Sequence, residues 1–270
     1  MAPRPLFVAG AGGPLFCLAH QPPGGGAGRG LLVVAPFAEE LNKSRRLLAL
    51  TGAALADAGW CVLLPDLQGT GDSAGLFEDA TLPGWYADLD AAEAWIRAQG
   101  CELEAVLAVR TGALLAASWL RAATRRSRRL VLWQPVGSGE LFLNQFLRLR
   151  SMASRLAGAD EPVQGLMRRL EAGECVEVGG YALGPALARE LRTMQLAANP
   201  PAADRVEWLE FSEPARDEPA AASSAVIARW REAGVDVRFR GVAAESFWAT
   251  QEIAAPAAVV AATAAALTDP

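Results

Sequence analysis

Residues Leu103 to Ala117 read LEAVLAVRTGALLAA. An apolar run enters a tight turn beside Gly112 and leaves as a helix of small residues. Only a buried strand bent sharply into a closely packed helix suits such a stretch, because small side chains let the two backbones approach. A Gly-x-Ser-x-Gly sequence makes the same corner and thrusts its central serine outward as a nucleophile. Here the five positions are Ala108, Val109, Arg110, Thr111 and Gly112, so Arg110 stands in the nucleophile's seat. A guanidinium stays protonated and has no lone pair to offer, so it cannot attack a carbonyl.

The rest of the chain repeats this rhythm. Leu6–Val8 and Leu15–His20 read as a hairpin across AGAGGP, and Leu31–Pro36 and Cys61–Pro65 as strands buried on both faces. Between the latter two lies a helix over Arg45–Ala58, with Ser44 as its cap and Gly59 as its stop. Asp66 to Gly75 is a Gly-rich loop, and Thr81 opens a helix lined by Leu82, Trp85, Leu89, Ala92 and Ile96. Another strand is expected at Leu130–Val136. From Gly137 to Pro201 the pattern turns helical, with Leu141, Phe142, Phe146, Leu149, Met152 and Leu156 as one mostly core-facing stripe. A strand-like Val176–Tyr181 and a helix over Pro185–Leu196 follow. Strand Val206–Phe211, helix Ser223–Ala233, strand Val235–Arg240 and a helix from about Pro256 resume the alternation. The expected architecture is α/β: one domain over residues 1–270, a mostly parallel sheet with helices on both faces, and a helical cap inserted at about 137–201.

Composition narrows the setting. Of 270 residues, 52% are hydrophobic, ample for a core, and a net charge of −5 gives no reason to expect nucleic acid. Four cysteines without a CxxC and a single histidine argue against a zinc site or a disulfide framework, so no metal and no cofactor are expected. The most apolar tail, Ala254 to Leu267, is too short to span a bilayer, which needs about 20 residues. A reducing cytoplasm is the expected location.

PFAEELNKSRR (Pro36 to Arg46), DLQGTGDSAG (Asp66 to Gly75), WYADLDAA (Trp85 to Ala92), the RTGALLA turn and FWATQEI (Phe247 to Ile253) resemble the exosortase A system-associated hydrolase 2 family. The resemblance covers essentially the whole chain. It implies an α/β-hydrolase fold and a role in bacterial exopolysaccharide production and sorting of PEP-CTERM proteins. Its name implies hydrolysis, of an ester or thioester bond if any. A partner from the exopolysaccharide or exosortase system would follow.

The residues themselves argue against triad chemistry. An acid is available after the strand at Val206–Phe211, as Glu213 or Asp217, but Phe247 and Trp248 stand where a histidine is needed. His20 ends the second strand and is expected to be a plain strand-end or surface residue. Ser73 is expected to satisfy its own turn, Thr111 to bond at the start of its helix, and Cys101 and Cys175 lack a histidine partner. What remains is Arg110 at a helix N-terminus, facing the segment that builds the oxyanion hole in active relatives, with Phe37, Glu39, Glu40, Asn42 and Lys43.

Two readings follow. In one, Arg110 forms a structural pair with Glu39 or Glu40, because a buried charge needs a partner in any case. In the other, Arg110, Thr111 and these residues receive an anionic or acyl small molecule under the cap, closed by Phe247 and Trp248. The pair is the first expectation, and with it a non-catalytic or ligand-binding accessory. An active hydrolase of non-triad mechanism is the alternative. The basic run Arg121, Arg125, Arg126, Arg128, Arg129 reads as a solvated turn.

Overall fold

A computed structural model describes residues 3–24, 28–122 and 127–268. Strands β1 (Arg4–Gly10) and β2 (Gly13–His20) form the expected hairpin. β3 (Gly28–Val34), β4 (Trp60–Pro65), β5 (Cys101–Val109), β6 (Ser127–Trp133), then β9 (Ala203–Ser212) and β10 (Asp236–Ala243) complete one sheet in the order β1-β2-β4-β3-β5-β6-β9-β10. β2 runs antiparallel to β1 and β4, and every other pairing is parallel. The helices are α1 (Ala38–Asp57), α2 (Leu82–Ala98), α3 (Gly112–Ala122), α7 (Ala221–Glu232) and α8 (Ala257–Thr268).

Successive side chains of a strand point to opposite faces, and the core divides accordingly. Leu32, Val34, Val106, Ala108, Leu130 and Leu132 pack with α2, α3 and α7. Leu31, Val33, Ala105, Leu107, Val131 and Trp133 pack with α1 and α8. The strands therefore read as unbroken apolar runs, because both faces are covered.

Between β6 and β9 lie α4 (Gly139–Leu156), α5 (Val163–Glu171), a small hairpin of β7 (Val176–Val178) and β8 (Tyr181–Leu183), and α6 (Pro185–Thr193). This cap seats on the C-terminal end of β3 through Phe37, whose ring lies 5.2 Å from that of Phe142 and 6.2 Å from that of Phe146.

Three local expectations need correction. Helix α1 begins at Ala38, and Ser44 lies inside it, its hydroxyl donating to the Glu40 carbonyl. Glu39 and Glu40 make a favourable first turn against the helix dipole, so no side-chain cap is required. The strand expected over Val176–Tyr181 turns back at Gly179 and Gly180, both of which take positive φ. On α4, the buried large apolar residues are Phe142, Leu143, Phe146 and Leu147, while Leu141, Leu149, Met152 and Leu156 are exposed. Of the basic run, Arg125 and Arg126 lie outside the described residues; Arg121 and Arg129 donate to the Ala198 and Ala266 carbonyls.

Candidate functional site

Arg110 sits at the corner between β5 and α3 with φ 53°, a left-handed conformation that costs a non-glycine residue energy. The surrounding backbone fixes it there. Its N–H donates to the Trp133 carbonyl, and its own carbonyl accepts from Ala113 and Val136. Two residues further, Gly112 lies so close to β3 that a Cβ would stand 2.1 Å from the Val34 carbonyl oxygen. A tight strand, a strained turn and a glycine at the contact together make the corner that the sequence implies.

The guanidinium is engaged on three sides. Nε and Nη2 both donate to Glu40 Oε1, at 3.3 and 3.1 Å, and Nη1 donates to the Gln134 carbonyl at 3.2 Å. The Trp248 ring covers it at 4.8 Å from the ring centroid, a cation–π contact. Glu40 is thus the partner. Glu39 instead meets Lys43 at 3.7 Å and is exposed. Burial pushes the Glu40 carboxyl above its ordinary range, against the pull of the Arg110 charge and hydrogen bonds. Glu40 Oε2 is buried without a hydrogen-bond partner among the described residues.

The pair forms the floor of a cleft of about 550 Å³. Phe37, Phe142, Phe146, Leu149 and Trp248 make its apolar walls, and Gln145, Lys43, Thr250 and Gln251 contribute polar groups. No serine, cysteine or histidine is among the described residues that line it. The side-chain hydroxyl that these residues do supply, on Thr250, donates to the carbonyls of Phe247 and Glu252. Lys43 Nζ donates to the Gln251 carbonyl across the rim.

The other sequence-selected residues fall elsewhere. Phe247 is fully buried against Trp133 and Phe211 and does not line this cleft; its place is the core. Its ring lies 5.1 Å from that of Trp248, edge to face, and it is the Trp248 ring that covers Arg110. Asn42 points to the opposite side of α1, bonding Tyr181 Oη and lining a separate cleft with Thr70 and Phe77. Thr111 Oγ1, expected to bond at the start of its helix, is buried without a hydrogen-bond partner among the described residues, beside a small cavity of about 20 Å³ lined also by Phe37 and Gly112. Glu213 and Asp217 are exposed on the loop after β9 and do not line the cleft.

His20 ends β2, as expected, but is buried against Gly52, its ring nitrogens without a hydrogen-bond partner among the described residues. Ser73 does serve its turn, donating to the Asp66 carbonyl and accepting from Phe16 N. Burial pushes the Cys17 and Cys61 thiols up to about 12, away from thiolate chemistry. No group of residues fit to hold a metal occurs among those described.

Gln134, Gln145 and Gln251 belong to the site without any expectation from the sequence, whereas Phe142 and Phe146 come from the stripe expected to be mostly core. The cap residues carry a usable signal, since Phe142, Gln145, Phe146 and Leu149 fall on one helix edge. Gln134 has none before the fold is known: its φ of 40° and its place after β6 appear only in three dimensions.

No protein-family model matches the chain, and no curated protein sequence does. Solved structures do. Epoxide hydrolase A from Mycobacterium thermoresistibile is 18% identical over 98% of each chain, with a TM-score of 0.58. A proline iminopeptidase-related protein from Thermus thermophilus is 19% identical, covering 99% of this chain and 98% of its own, with a TM-score of 0.56. Est1E from Butyrivibrio proteoclasticus, solved with ferulic acid, is 14% identical over 87% of each chain, with a TM-score of 0.58. At these identities the likeness concerns architecture, and with the sheet order it fixes one conclusion: this chain has the α/β-hydrolase fold.

Proposed function

We propose that this chain has exchanged nucleophilic chemistry for binding, and that it holds a ligand with an acyl or similarly apolar portion in the cleft under the cap. The observation that carries the proposal is the state of Arg110. In the seat from which a hydrolase presents its nucleophile stands a cation tied to Glu40, to the Gln134 carbonyl and to Trp248. On this reading the Ser-His-Asp triad is gone, and Glu213 and Asp217 are surface acids.

The lining supports the ligand class. Aromatic and aliphatic walls suit a chain or ring, and a few polar groups at the floor suit a small head. Because Glu40 already neutralises Arg110, a head group gains hydrogen bonds there more than net charge. An active hydrolase acting on an ester or thioester is the competing reading, and Glu40 is the partly buried acid in the cleft that it would use. The motifs Pro36 to Arg46 and Phe247 to Ile253, with the arginine corner, support a cytoplasmic place beside the exosortase A system, in exopolysaccharide production or PEP-CTERM sorting.

Titrating the protein with decanoate while following tryptophan fluorescence tests the binding. A saturable change is expected in the wild type and should be largely lost in Trp248→Phe. Absence of any saturable change, with calorimetry equally silent, contradicts acyl binding in this cleft.

A further inference from the structure

Eight large hydrophobic side chains are exposed among the described residues, and four of them, Leu141, Leu149, Met152 and Leu156, stand on α4. Met152 is 63% exposed and Leu156 90%. Their spacing brings them onto one helix face, while Phe142, Leu143, Phe146 and Leu147 enter the core from the other. The fold explains only the second face. An apolar ridge on a surface helix marks contact with something apolar.

Charge identifies what that is. Arg148 and Arg155 border the ridge, both exposed, and α4 carries three arginines against the single acid Glu140. Arg148 meets no carboxylate among the described residues; Arg155 reaches Asp160 only at 3.5 Å, both side chains largely in solvent. Leucine and methionine side chains flanked by long cationic ones match a lipid surface, where apolar groups enter the acyl region and guanidinium groups rise to the phosphates.

Leu149 also lines the mouth of the Arg110 cleft, next to Phe146, so the ridge and the cleft are continuous. We propose that α4 docks this protein peripherally on an anionic phospholipid surface, with the cleft mouth at the lipid boundary. No described helix is long and apolar enough to cross a membrane, and none needs to be.

Co-sedimentation with vesicles tests this directly, using phosphatidylcholine alone and phosphatidylcholine with about one third phosphatidylglycerol. The protein should partition roughly tenfold more strongly onto the anionic vesicles, less so at high salt. Leu149→Glu/Met152→Glu/Leu156→Glu should abolish sedimentation without lowering the melting temperature, because all three side chains are exposed. Arg148→Glu/Arg155→Glu should remove the preference for anionic vesicles. Equal sedimentation of the leucine-face variant and the wild type overturns the proposal, as does no binding to either vesicle. A wild-type dimer that the leucine-face variant turns into a monomer also overturns it, by assigning the ridge to a second copy. No cleft ligand enters this experiment, so its failure leaves the binding reading of the cleft standing.

Discussion

At the residue scale, Arg110 combines a strained backbone with a satisfied side chain, and the two effects separate by mutation. Arg110→Ala and Arg110→Gly both remove the contacts to Glu40, Gln134 and Trp248 and leave Glu40 partly buried without its cation. Each should lose about 1–3 kcal/mol, a pair like this being costly to break from one side. Glycine adopts φ 53° freely and alanine does not, so Arg110→Gly should retain about 1 kcal/mol more than Arg110→Ala. Urea denaturation of both variants measures the difference; equal stabilities would show that the corner relaxes when the arginine leaves. The position of Arg110 was legible because the corner is a local pattern. Its choice of Glu40 over Glu39 was not, since that depends on which face of α1 turns inward. The start of α1 at Ala38, six residues before the expected Ser44 cap, decides that face.

At the scale of elements, the site depends on how closely α3 approaches β3. Gly112→Ala would put a methyl group on the Val34 carbonyl and should destabilise by about 3 kcal/mol, with the melting temperature as readout. A near-neutral result would mean that helix and strand slide apart at little cost. The strands were readable from sequence because burial on both faces leaves uninterrupted apolar runs, as in Leu31–Val34 and Ala105–Val109. The segment between β6 and β9 was readable as mainly helical, but of the six residues expected to form its core-facing stripe only Phe142 and Phe146 are buried. Leu141, Leu149, Met152 and Leu156 share helical periodicity with the buried residues, and periodicity reports an apolar face without saying what covers it.

At the scale of the whole molecule, two buried titratable groups couple stability to pH. Asp88, on α2, is fully buried; burial raises its carboxyl from 3.8 to about 6, although one oxygen accepts from Gln68 N. Between those values the folded chain keeps a proton that the unfolded chain has released, so this group makes stability fall as pH rises through the window. Asp88→Asn should therefore gain on the order of 1–3 kcal/mol at pH 8 and nothing at pH 4, by chemical denaturation. His20 acts in the opposite sense. Burial lowers its pKa below 6.5, so the unfolded chain takes up a proton first as pH falls, and stability declines toward acid.

The fold alone leaves open what the corner does, since related architectures catalyse unlike reactions. Turnover of short p-nitrophenyl esters and acyl thioesters, by the wild type beside Arg110→Ala, decides it. The account predicts no turnover above buffer for either protein, with Arg110→Ala differing only in a lower melting temperature. Turnover by the wild type that disappears in Arg110→Ala would contradict it and make the arginine corner an active site.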